Sequence, residues 1–68
     1  MLGQEFKNAR QTLGLSQEKV AEGAGISRNY LSELERNLKS PTVRVFLKLC
    51  GVLEIKGSEL IAKIEINP

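Results

Sequence analysis

The chain has 68 residues, ten Lys and Arg against eight Glu, and a formal net charge of +2. That length makes one domain with a small core, while zero His and a single Cys argue against a zinc site, an internal disulfide framework and any His-dependent catalytic set. No apolar run is long enough to span a bilayer and no signal-peptide pattern opens the chain, so the expected setting is a reducing cytoplasm in which Cys50 packs as a small apolar residue.

In chain order, Leu2, Phe6, Ala9 and Leu13 are spaced four, three and four apart, which predicts a first helix burying one face and ending at Gly14. Ser16 is placed to cap a second helix, with Glu18 near its positive end. Lys19 occupies the place where a capping box would have Glu or Gln, so that cap is single. Val20, Ala21 and Ala24 give this helix its apolar stripe, and Gly25 interrupts it where the chain needs positive φ. After Ile26, Ser27 is a good N-cap for a third helix, whose stripe is Leu31 and Leu34 and which should run from about Arg28 to Arg36, stopping near Asn37.

Leu38 to Pro41 read as a loop. Thr42 then caps a fourth helix with the expected stripe Val43, Phe46, Leu47, Cys50 and Leu53, inside which Gly51 costs about 1 kcal/mol against Ala. Ser58 could cap a late-starting fifth helix carrying Leu60, Ile61 and Ile64, although Ile64-Glu65-Ile66 alternates like a strand and Asn67-Pro68 stops any helix. The expected architecture is all-α and compact: five short helices, no sheet, and one core. Its expected members are Leu2, Phe6, Leu13, Val20, Ala21, Ala24, Ile26, Leu31, Leu34, Phe46, Leu47, Cys50 and Leu53.

Residues 17–36 have the pattern of a helix-turn-helix, two helices joined by a short glycine-containing turn. The same residues resemble the helix-turn-helix of the lambda-repressor/Cro-like (XRE) transcriptional regulators. Ala21 stands at the small-residue position, Gly25 at the turn, and Val20, Ile26, Leu31 and Leu34 at the buried positions. Leu15-Ser16-Gln17, Ile26-Ser27-Arg28, Leu34-Glu35-Arg36 and Ser40-Pro41-Thr42 keep the family's flanking pattern, so the resemblance spans roughly residues 2 to 62. There are departures. Asn37 stands where the family usually has Gly, Glu54 where it commonly ends the fourth helix with Gly, and Lys56-Gly57 replaces a more typical capping pair.

The resemblance implies a DNA reader, and the residues suit one. With Leu31 and Leu34 inward, Arg28, Asn29, Ser32, Glu33 and Arg36 are left on outer faces of a helix of the right diameter for a major groove. Arg28 can pair with guanine O6 and N7, Asn29 with adenine N6 and N7, and Glu33 can accept from cytosine N4, while the Ser27 and Ser32 hydroxyls complete the base-facing set. The alternative reading of all five is a solvated helix face. Gln17 at the start of the second helix suits a phosphate, as do Arg36, Lys39 and Arg44 beyond it. Tyr30 is open between packing, a thymine methyl and a phosphate.

Up to Leu53 the basic residues Lys7, Arg10, Lys19, Arg28, Arg36, Lys39, Arg44 and Lys48 outnumber five Glu and leave +3, whereas the segment from Glu54 onward is −1. Arg10 and Glu35 border the facing stripes of the first and third helices, and the resemblance implies an Arg–Glu ion pair between them.

Two functions fit. The first is a sequence-specific double-stranded DNA-binding regulator, a repressor in preference to an activator, acting as a homodimer on a two-fold related operator. The second is an antitoxin-like or adaptor module working through protein contact. Residues 55–66 are the expected dimerisation segment, with Leu60, Ile61, Ile64 and Ile66 at the interface, since Ile55, Leu60, Ile61, Ile64 and Ile66 cannot all face one core from a single short helix. Pairing there would set two recognition helices about 34 Å apart. No cofactor, metal, small-molecule ligand, membrane contact or enzymatic activity is expected.

Overall fold

The computed structural model of the chain describes residues 2–55. Among them lie four helices, α1 (Leu2–Thr12), α2 (Gln17–Ala24), α3 (Arg28–Glu35) and α4 (Val43–Val52), and no strand. The fifth helix expected after Ser58 lies outside the described residues, as does the dimerisation segment apart from its first residue, Ile55, which packs against the core.

Three of the helices start alike. Ser16, Ser27 and Thr42 sit in extended backbone, and each side-chain oxygen accepts the backbone N–H three residues on, from Lys19, Tyr30 and Val45, at 3.0–3.1 Å. A hydroxyl on a short side chain can reach that donor, so each cap satisfies one N–H that the first helical turn leaves open.

All four helices also stop alike. The residue after each last turn is left-handed (Gly14 φ 70, Gly25 φ 69, Asn37 φ 59, Glu54 φ 58), and the N–H of the following residue returns to a carbonyl five positions back: Leu15 to Arg10, Ile26 to Ala21, Leu38 to Glu33 and Ile55 to Cys50. This double-bonded ending closes the helix and turns an apolar residue back onto it. Leu15, Ile26 and Ile55 do pack against the core, whereas Leu38 is exposed. Glu54 is the odd member, because a side chain with no local hydrogen-bonding option is strained there. Glu54→Gly should therefore raise stability by about 0.5–1 kcal/mol. An unchanged or lower midpoint in a thermal melt would show that the turn is not strained.

The left-handed Asn37 has a second role. Its Oδ1 accepts the Gly3 N–H at 3.0 Å, so the residue that ends α3 also caps the start of α1. The two backbones meet there so closely that a Cβ on Gly3 would press on the Leu34 carbonyl oxygen and stand 2.7 Å from that of Glu35. Since both obstacles are backbone, the helices would have to part. Gly3→Ala should cost about 1–3 kcal/mol, read as a lower denaturation midpoint. A midpoint equal to that of the wild type would mean the contact is loose.

The core is contributed by every helix: Phe6, Val20, Ala21, Ala24, Leu31, Leu34, Leu49, Cys50 and Leu53. α2 packs on both α3 and α4, and α1 packs on α3. Phe6 meets Phe46 with ring centroids 6.1 Å apart and planes tilted by 55°, which joins α1 to α4 in a geometry aromatic pairs favour. Burial pushes the Cys50 thiol pKa up, keeping it the protonated, inert packing residue expected.

Two expected core positions, Leu13 and Leu47, and one expected stripe position of α4, Val43, are corrected. Leu13 follows the last residue of α1 and is 38% exposed, because the turn at Gly14 brings Leu15 rather than Leu13 against the core. Leu47 and Val43 are exposed at 59% and 76%, and Leu49, not assigned to the core from spacing, is fully buried. The inward face of α4 runs through Phe46, Leu49, Cys50 and Leu53, and Val43 and Leu47, four apart, form an outer ridge.

Candidate nucleic-acid interface

Gly25 sets the interface. Its left-handed backbone ends α2 after Ala24, and Ser27 starts α3 two residues later, so α3 lies across α2 with Leu31 and Leu34 buried beneath it. What remains on its outer side is polar. Arg28, Asn29 and Arg36 are exposed, and Ser32 and Glu33 are half-buried. Arg28 and Ser32, one turn apart, share one side of α3, and Asn29, Glu33 and Arg36 another.

The remaining expected contact residues fall around this helix. The Ser27 Oγ is committed as an acceptor to the Tyr30 N–H, which leaves its hydroxyl proton for a further partner. Tyr30 is half-buried and packs against the core. Lys39 lies 3.6 Å from the Glu33 carboxylate, so an expected phosphate-binding residue and an expected base-facing residue are paired in this structure. The Arg36 Nε donates to the Ser32 carbonyl oxygen at 3.3 Å. Arg44 stands exposed in the first turn of α4.

Behind α3 the helices are tied by a buried charge network. Arg10 Nε and Nη2 donate to Glu35 Oε2 and Oε1 at 2.7 and 3.1 Å, a two-pronged pair in which the side chains are only 12% and 3% exposed. Arg10 Nη1 donates to the Leu15 carbonyl oxygen at 3.0 Å. The Gln17 amide donates to Glu35 Oε1 at 3.1 Å. A single carboxylate thus joins α1, the start of α2 and the end of α3, and among the described residues no buried side-chain nitrogen or oxygen lacks a partner. A charge-assisted, two-pronged pair is both stronger and more directional than an exposed one, so it fixes where α3 stands relative to α1, and the Gln17 bond ties the start of α2 to the same carboxylate.

Spacing alone did not reveal that Gln17 belongs to this network, since nothing in a separation of eighteen residues signals contact. Nor did it single out Lys7, which lines a polar cleft with Gln17, Ser32 and Arg36. A signal for Lys7 was present: it lies three residues before Arg10, on the same side of α1. Among the described residues no group of side chains could hold a metal ion, and no helix is long and apolar enough to cross a membrane.

Four packed helices, the middle two joined at a glycine turn with the second presenting a polar face, define a helix-turn-helix domain. The helix-turn-helix family model matches residues 6–60, and the chain belongs to that family, within which its resemblance is to the lambda-repressor-like (XRE) regulators. It is 37% identical over 62 residues to the HTH-type transcriptional regulator SinR of Bacillus subtilis, covering 90% of this chain and 56% of the relative. It is 35% identical over its full length to an uncharacterized HTH-type transcriptional regulator, y4dJ, of Sinorhizobium fredii, of which it covers 88%. The structure of SinR in complex with DNA superposes with a TM-score of 0.83 at 37% identity, over 90% of this chain and 98% of that one. The P22 c2 repressor, 23% identical with a TM-score of 0.84 over 88% of this chain and 91% of that one, shares the fold.

Proposed function

We propose that this chain is a sequence-specific double-stranded DNA-binding transcriptional regulator, acting as a repressor, with α3 in the major groove. The observation that carries this reading is the combination at α3. The helix is locked from behind by Leu31, Leu34 and the Arg10–Glu35 pair, while Arg28 and Asn29 stand free at its outer N-terminal end. A recognition helix needs that combination, because base-edge hydrogen bonds discriminate only when their donors are held in register. The relation to SinR, solved with DNA, supports it.

Base contact is assigned to Ser27, Arg28, Asn29, Ser32 and Glu33, and phosphate contact to Gln17, Tyr30, Arg36, Lys39 and Arg44. Binding to a mixed duplex pool should fall steeply between low and high salt. An adaptor module working through protein contact would bind the pool at neither salt concentration. The domain is read as non-enzymatic, working in the cytoplasm.

We place the homodimer contact in residues 55–66, on Leu60, Ile61, Ile64 and Ile66, supported by the apolar and net acidic character of that segment. Ile64→Glu should give a monomer of near-normal helicity with much weaker operator binding. Sedimentation of an unchanged dimer would place the contact elsewhere.

A further inference from the structure

We infer that Asn37 is a positioning residue for DNA binding: its side chain holds the loop between α3 and α4, and with it Lys39, against the first turn of α1. This rests on the DNA-binding reading. The four helix endings are alike in backbone, with a left-handed residue followed by an N–H that returns five positions. Such an ending is commonly clasped by an apolar residue just beyond it. At three of the four that clasp is present, since Leu15, Ile26 and Ile55 pack against the core. At the end of α3 it is missing, because Leu38 is exposed. There the Asn37 Oδ1 accepts the Gly3 N–H at 3.0 Å instead, a tie across to another helix.

Both ends of that tie depend on the residue present. The Gly3 N–H belongs to the first turn of α1, where a helix offers no acceptor of its own, so the bond satisfies an open donor. A Cβ on Gly3 would stand 2.9 Å from the Asn37 oxygen, so the bare glycine backbone makes room for it. At position 37 the backbone is left-handed, which Asn tolerates better than most side chains, and glycine there would carry no acceptor. The loop held in this way brings charge to the interface. Lys39 is the second residue beyond Asn37, and its ammonium stands 3.6 Å from the Glu33 carboxylate, alongside the outer side of α3. A phosphate contact made from a fixed loop avoids the ordering cost that a loose one meets on binding.

The test measures the affinity of the full chain for a duplex selected from a random pool, with Asn37→Gly, Lys39→Ala and Arg28→Ala singly and in pairs. Glycine takes the left-handed turn freely, so Asn37→Gly removes the side-chain bond and keeps the fold. Exchange of the Gly3 amide hydrogen with solvent should be faster in that variant. Its affinity should fall about three- to tenfold on every sequence alike, because the loop must now be ordered on binding. Lys39→Ala should then do little further harm in the Asn37→Gly background, whereas Arg28→Ala should cost as much as it does in the wild type. A variant that had merely lost stability would leave both of those costs unchanged. If Lys39→Ala costs the same in the two backgrounds, or if Gly3 exchange does not change, Asn37 does not position the loop although the regulator reading stands. If no duplex binds at all, the regulator reading fails and takes the positioning role with it.

Discussion

Glu35→Ala should lower stability by about 3–5 kcal/mol, enough to leave much of the chain unfolded at room temperature. The reason is what the substitution leaves behind. Arg10 is only 12% exposed at its side chain, and without Glu35 its Nε and Nη2 donors lose their acceptor, as does the Gln17 amide. A guanidinium cannot shed its proton to escape, so it remains a largely desolvated, unpaired charge. A domain of this length has roughly 3–10 kcal/mol of stability in all, so the loss is of the same order as the whole. Removing both charges together, as in Arg10→Met with Glu35→Leu, should restore most of it, since well-packed apolar side chains often replace a buried pair at little cost. A double-mutant cycle measured by denaturant unfolding should show clear favourable coupling. Coupling near zero would mean that the two charges act independently, as an exposed pair would.

Arg28→Ala should leave the fold intact and act on binding. Arg28 is the exposed first residue of α3 and accepts no structural duty in the described network. Its loss should cost about 1–3 kcal/mol on the preferred site and relax the preference at one base pair. Lys39→Ala should behave differently, weakening all sequences alike and flattening the salt slope by about one unit. Affinities measured for both variants on the best site and on single-base variants of it separate the two roles. Uniform loss across sequences for both would show that Arg28 does not read a base.

The helix starts were legible because a cap is a local event. Ser16, Ser27 and Thr42 each needed only the three residues that followed to be recognised. The turn at Gly25 was legible for the same reason. The stop of α3 near Asn37 was legible too, but the bond from Gly3 to its side chain joins residues 34 positions apart and has no local trace. In α4 the difficulty was excess. Val43, Val45, Phe46, Leu47, Leu49, Cys50, Val52 and Leu53 place apolar side chains nearly all round the helix, so spacing admits two stripes. Only packing against α2 selects Leu49 over Leu47. At the interface, exposed Arg28 and Asn29 followed from the inward Leu31 and Leu34, whereas the involvement of Gln17 with Glu35 depends on how three helices meet.

The central claim is that this domain reads DNA sequence through α3, and selection of bound duplexes from a random pool, followed by sequencing, tests it most directly. The expected result is enrichment of one site built from two related half-sites, with a base-pair preference in each half that Arg28→Ala specifically erases. A pool that emerges from repeated rounds at low salt no different from the input would contradict it.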